Sequence, residues 1–169
     1  ADDVRGSAGV ILSDVDNDFV RDVRFALNPQ VTTRAANPMI NAAFAPELFW
    51  DGRAFSTFRD PVTSQIMIAS GGALESQTVG PPASSVEMGH QQLNWSEITT
   101  KLQRSRPLAL ATSHPADVAA VLASRPTYPQ LFQQAFGDTA ITPTRIAFAI
   151  ATYERTLISN QTPFDAFRA

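Results

Sequence analysis

The apolar positions of this chain fall into two textures. From about residue 91 they recur at helical spacing, whereas before it they form short runs, and seven of the eight glycines stand in residues 1–90. The first half therefore reads as loops punctuated by short helices. In the second half, Asn94 and Glu97 make the N-cap and N3 pair of a capping box, and Trp95, Ile98 and Leu102 follow at three and four residues, ending before Pro107. A short helix opens at His114-Pro115, with His114 as a cap and Val118, Val121 and Leu122 turned inward, and stops at Arg125-Pro126. Thr127 and Gln130 form another capping box, with Leu131, Phe132, Ala135 and Phe136 as the apolar side and Gly137 as the C-terminal cap. Thr142-Pro143 opens the longest helix, whose core face is predicted from Ile146, Ala149, Ile150, Tyr153 and Leu157. Asn160 to Pro163 breaks it, and Phe164 and Phe167 are left with little chain to cover them, as in a truncated domain. Val10-Ile11-Leu12 and Gln65 to Ala69 are short apolar runs that either pair as a small β-hairpin or pack as loops.

Composition narrows the chemistry. With 169 residues, 44% hydrophobic and 17% charged, the chain suits one globular domain. Thirteen Lys and Arg against sixteen Asp and Glu give a net charge of −3, without a long block of one sign, which argues against a nucleic-acid groove or a polybasic membrane patch. No apolar stretch approaches the roughly 18–20 residues of a membrane span, and the start Ala1-Asp2-Asp3 is not that of a signal peptide. Cysteine is absent, which removes disulfides, thiolate nucleophiles and covalent haem attachment through C-x-x-C-H. The two histidines, His90 and His114, cannot make a three-imidazole metal centre, and no metal site is predicted. Asp14, Asp16 and Asp18 imitate the opening of a calcium loop, but Phe19 and Phe25 stand where it needs glycine and glutamate. The triplets Asn94-Trp95-Ser96 and Asn160-Gln161-Thr162 are chance glycosylation matches, and the motifs of nucleotide, serine and zinc hydrolases are missing.

What remains is a series of motifs: Phe49-Trp50-Asp51-Gly52-Arg53-Ala54, Glu75 to Pro82, Val86-Glu87-Met88, Ala135-Phe136-Gly137-Asp138 and Tyr153-Glu154-Arg155-Thr156-Leu157. In this order and spacing, from about Val31 to Phe167, they resemble the bacterial di-haem cytochrome c peroxidase family, which includes the MauG-type enzymes. The resemblance implies an all-α, loop-rich, cytochrome-c-like helical domain. It marks residues 1–169 as a single partial domain like the peroxidatic-haem half of such a protein, with a loop-rich distal-pocket region over 1–90 and a helical region over 91–169. The segment matches the stretch between the two haem-attachment motifs, so haem c would belong to the parent protein.

The family likeness assigns roles residue by residue. Glu87 matches the distal acid/base, a carboxyl that takes a proton from bound peroxide and returns it to the leaving oxygen. Gln77 matches a glutamine that orients water or peroxide, and Trp50 the tryptophan between the haems that carries electrons. Trp50, Arg53, Pro81 and Met88 would contact the cofactor, Arg53 through a propionate. Each has a plainer reading: Trp50 as a core aromatic beside Phe49, Arg53 as a partner of Asp51 or of loop backbone, Glu87 as a solvated side chain, Gln77 as a loop-capping amide. Glu154 and Arg155 read as structural ion pairs on the long helix. His90 lies three residues after Glu87, but the histidine the family places before W-D-G-R is missing here. The expected function is an oxidoreductase segment of a peroxidase, forming the distal pocket and the inter-haem path. Its expected partners are the haem-bearing remainder of the same protein, a small electron-donor protein, and hydrogen peroxide or another oxidant. The resemblance implies the periplasm. The alternative is a haem-free structural or binding domain on the same scaffold.

Overall fold

A computed structural model describes residues 6–33 and 35–168. The strands are β1 (Ala8–Ile11), β2 (Pro29–Val31), β3 (Phe58–Arg59) and β4 (Ile66–Ile68), and the helices are α1 (Ala73–Thr78), α2 (Trp95–Arg104), α3 (Ala116–Leu122), α4 (Tyr128–Phe136), α5 (Pro143–Glu154) and α6 (Pro163–Arg168). The fold is helix-rich and loop-rich, but the all-α expectation needs correcting, because two antiparallel pairs occupy the first half. The apolar runs near 10 and 66 do not pair with each other; β1 pairs with β2 and β3 with β4. Local turn chemistry decides this. The Asp22 carboxylate accepts the backbone N–H groups of Arg24 and Phe25, and that of Asp60 accepts those of Val62 and Thr63, so each strand meets a neighbour close in sequence.

The capping arguments hold. The Asn94 side chain accepts the Glu97 N–H at the start of α2, and Thr127 and Gln130 complete a reciprocal capping box on α4, which ends at Gly137 in the left-handed conformation. Pro115, and not His114, is the N-cap of α3. Val121 of α3 and Ala135 of α4 turn out to solvent, while Val118, Leu122, Leu131 and Phe136 are half-buried. Trp95 of α2 and Phe132 of α4 are buried where the two helices pack. The motif residue Asp138 accepts the Arg145 fork, with Nη2 to Oδ2 at 2.7 Å, and so closes the turn between α4 and α5; this bond holds the Asp138 carboxyl well below the usual range.

The long helix is central but turned from its predicted face. Thr144, Ala147 and Ala151 are buried, whereas Ile150 is 41% and Tyr153 64% exposed. The reason is the closeness of α1. Ala73 and Leu74 pack with Leu48, Ala54 and Ala151 in one cluster, and only small side chains on α5 admit that approach. Phe58, fully buried, meets Phe148 of α5 edge-on at 6.0 Å. Thr144 donates to Asp60 Oδ2 at 2.6 Å and ties the start of α5 to the β3–β4 turn. Helix α5 stops at Glu154, before Leu157.

Packing of this kind predicts opposite outcomes at neighbouring positions. Ala151→Leu should destabilise by about 1–3 kcal/mol or more by overfilling the α1–α5 contact, and Ile150→Ala by less than about 1 kcal/mol. Denaturant melts of both variants check the assignment; equal losses would contradict it.

Candidate functional site

A cavity of about 860 Å³ opens between the β1–β2 hairpin, the loops around residues 36–53 and 81–88, α1 and the end of α5. It lies within the roughly 300–1,000 Å³ range of ligand and cofactor sites. Gln77, Pro81, Glu87 and Met88 line it together with Arg53 and Phe49, although they come from separate stretches of sequence. Val31, Met39, Leu48, Leu74 and Val86 make much of the remaining wall apolar.

Each polar wall residue is set by local geometry. Gln77 stands on α1, a helix bounded by Gly71-Gly72 before it and by Gly80-Pro81 after it. Glu87 and Met88 sit on a tight loop in which the N–H groups of Glu87, Met88 and Gly89 converge on the Ser84 carbonyl at 3.2, 3.1 and 2.9 Å. Arg53 follows a turn whose Gly52 N–H donates to the Phe49 carbonyl at 3.1 Å and whose Gly52 has φ +65°, a conformation natural to glycine. Its guanidinium lies 3.7 Å from the centre of the Phe49 ring and donates to Asp51 Oδ1 at 3.0 Å. The Asp51 contact and the place on the cavity wall therefore coexist.

Trp50 is not brought to the cavity. It projects from the outer side of the same turn and is fully exposed, which corrects its reading as a core aromatic. His90 also stands away from the cavity, with Nδ1 2.8 Å from the Gln91 carbonyl and Nε2 3.2 Å from Glu97 Oε2.

Three features go beyond the sequence expectations, which placed Glu154 and Arg155 in ion pairs on the long helix without naming their partners. The first is the ion pair between α1 and α5. Glu75 is 3% exposed and accepts both arms of Arg155, at 2.6 and 2.9 Å, so Arg155 pairs across helices and not with Glu154. The second is Glu154, which lines the cavity while its Oε2, closed from solvent, has no hydrogen-bond partner among the described residues. Burial raises its pKa, the Glu75 charge adds to the rise, and Arg155 opposes it. The third is the buttress behind Glu87. Buried Gln30 on β2 donates its amide to the Ser85 carbonyl at 3.0 Å, and Gly9 on β1 approaches so closely that a Cβ there would lie 1.6 Å from the Val86 carbonyl oxygen. A glycine within a strand pattern was the available signal for such an approach.

The sequence model of the di-haem cytochrome c peroxidase family matches residues 13–169. Similar proteins include the methylamine utilization protein MauG of Methylophilus methylotrophus, 30% identical over 136 residues, which make up 80% of this chain and 29% of that protein. Cytochrome c peroxidase Ccp of Escherichia coli K12 is 28% identical over 130 residues, 77% of this chain and 19% of that protein. The chain thus spans less than a third of the length of either relative. Among the described residues, no helix is long and apolar enough to cross a membrane.

The buttress makes a prediction of its own. Gly9→Ala should push β1 off the 84–89 loop and cost about 1–3 kcal/mol, and Gln30→Ala should cost about 0.5–1.5 kcal/mol by stripping the Ser85 carbonyl of its donor. Thermal melts give the stabilities, and hydrogen exchange at Val86 to Met88 should quicken in both variants.

Proposed function

The chain belongs to the di-haem cytochrome c peroxidase family, and on that premise we propose that it forms the distal wall of the haem cavity at which a peroxidase-type oxidoreductase handles peroxide. The observation that carries this reading is the gathering of Arg53, Gln77, Pro81, Glu87 and Met88 around one largely apolar cavity.

The wall fits one face of a haem and not its attachment. Phe49, Leu74, Val86 and Met88 offer apolar contact to a macrocycle, and Arg53 offers a cation to a propionate. Thioether bonds need cysteine sulfur, which this chain lacks, and neither histidine lines the cavity. Haem attachment would therefore fall to the remainder of the protein. When bound, haem supplies the redox chemistry of its iron.

The chain's own residues supply the proton handling and the positioning. A Glu87 carboxylate at the wall accepts a proton from peroxide and, once protonated, gives it to the departing oxygen. The Gln77 amide has both a donor and an acceptor with which to orient that oxygen pair. Arg53, held by Phe49 and Asp51, keeps a fixed positive charge on the wall. The full exposure of Trp50 beside the wall residue Phe49 supports a contact with another part of the same protein, and we assign it the electron path to the second haem. The periplasm is the compartment this reading entails, with a small electron-donor protein as the reductant. A haem-free scaffold, the competing reading, predicts no Soret band from the full-length protein.

In the haem-bearing full-length protein, Glu87→Gln keeps size and polarity but cannot exchange a proton, so peroxide turnover should fall about 10²- to 10⁴-fold. Trp50→Phe should slow electron delivery between haems and spare the first reaction with peroxide. Stopped-flow spectra separate the two steps, and a Glu87→Gln protein that reacts at the wild-type rate would overturn the assignment.

A further inference from the structure

Glu154 is the last residue of α5 and has no part in the mechanism above. It lines the same cavity as Gln77 and Glu87, and its Oε2 is closed from solvent without a hydrogen-bond partner among the described residues. The neighbouring guanidinium does not satisfy it, because Arg155 gives both arms to Glu75 and a further bond to the Gly71 carbonyl at 3.3 Å. An ionised carboxylate can only accept hydrogen bonds, so an oxygen in this position would be stripped of water and given nothing in return. A neutral carboxyl escapes that cost, and its O–H, carried on the oxygen that is not closed off, can be given to an acceptor in the cavity that Glu154 lines.

We infer that Glu154 is a second proton-carrying carboxyl of the cavity wall, a neutral acid that donates a hydrogen bond to a small oxygen acceptor held there, either water or peroxide. The charges around it agree. Glu75 faces it from α1 and disfavours a second negative charge, while Arg155 on its own helix favours one but is engaged by Glu75. Among the described residues, Glu87 from the 84–89 loop, Arg53 from the turn before β3, and Asp22 and Arg24 from the β1–β2 turn are the other charged groups on the wall. Burial is the largest influence and acts in the same direction as Glu75. That the acceptor is peroxide rests on the proposed function; that Glu154 keeps its proton does not.

Two measurements on the full-length protein test the inference. In pH-difference infrared spectra, wild type should retain a protonated-carboxyl C=O band after the exposed carboxylates have ionised, and Glu154→Gln should lack it. Because the proton is held more tightly folded than unfolded, the contribution of Glu154 to wild-type stability is greatest at acid pH. It should fall as pH rises from the ordinary carboxyl range to the Glu154 titration, a fall that Glu154→Gln removes. For peroxide, Glu154→Leu should raise KM about tenfold, the equivalent of one hydrogen bond, while Glu154→Gln, whose amide still donates, should leave KM near wild type. A wild-type protein whose carboxyl bands all vanish with those of the exposed side chains overturns the inference, whatever the variants do. A KM unchanged in Glu154→Leu overturns the hydrogen bond to peroxide. Wild-type turnover in Glu87→Gln with the Glu154 band intact overturns the proposed function and leaves Glu154 a proton-carrying wall residue.

Discussion

A carboxylate buried as deeply as that of Glu75 survives in a fold only if a cation is brought to it, and here the cation comes from another helix. Arg155 approaches with both arms of its fork, which fixes the distance and the rotation of α1 against α5 together. Ala73 and Leu74 then meet Ala151 at a spacing that larger side chains would forbid. The cavity inherits its geometry from this contact. Gln77 lies two residues beyond Glu75 on α1, and Glu154 lies one residue before Arg155, so the pair that joins the helices also aims a polar side chain from each at the same space. Removing either partner would strand a charge and loosen two walls at once.

The remaining walls are built with little regular structure. Three N–H groups share the Ser84 carbonyl in the loop that carries Glu87, a curl too short to be rigid alone. Its rigidity comes from behind, where Gly9 lets β1 lie against Val86 and Gln30 holds the Ser85 carbonyl. The hairpin that supports the loop is joined to it by no nearby sequence, so a change in the first thirty residues reaches the acid/base candidate through packing. Loops carry function well when a scaffold positions them; in this chain the scaffold is itself a two-stranded ribbon.

This division explains what the sequence disclosed. Helix starts at Asn94, Thr127 and Thr142 were legible because a cap is a local hydrogen bond between residues three apart. The face of α5 was not, because apolar periodicity ranks Ile150 and Tyr153 above Ala147 and Ala151, whereas close helix contact selects for small side chains. The apolar runs of β1 and β4 were visible, but their partners β2 and β3 were not, since two or three residues carry almost no periodic signal. Gln77, Pro81, Glu87 and Met88 were legible as members of one site only through resemblance, for no spacing in the sequence brings α1 to the 84–89 loop. Glu154 was visible as a residue type, but its missing partner is a fact of tertiary structure: the arginine beside it in sequence is committed to a carboxylate eighty positions away.

The same commitment polarises the cavity. Arg155 is answered by Glu75 and does not neutralise Glu154, while Arg53 is steadied by a ring and a carboxylate and keeps its positive charge at the wall. An anion is therefore disfavoured near the end of α5, and Arg53 is itself paired with Asp51. On the proposed function, a small neutral oxygen compound would feel little of either charge and would be held by hydrogen bonds. Such a molecule offers protons and lone pairs together, so a site that cleaves it needs an acceptor and a donor that do not cancel by pairing with each other. Glu87 and Glu154 stand on separate elements, one on a loop and one closed from solvent beside a second carboxylate. On the proposed reading, that asymmetry of surroundings would let one carboxyl exchange a proton while the other keeps its own and gives a hydrogen bond.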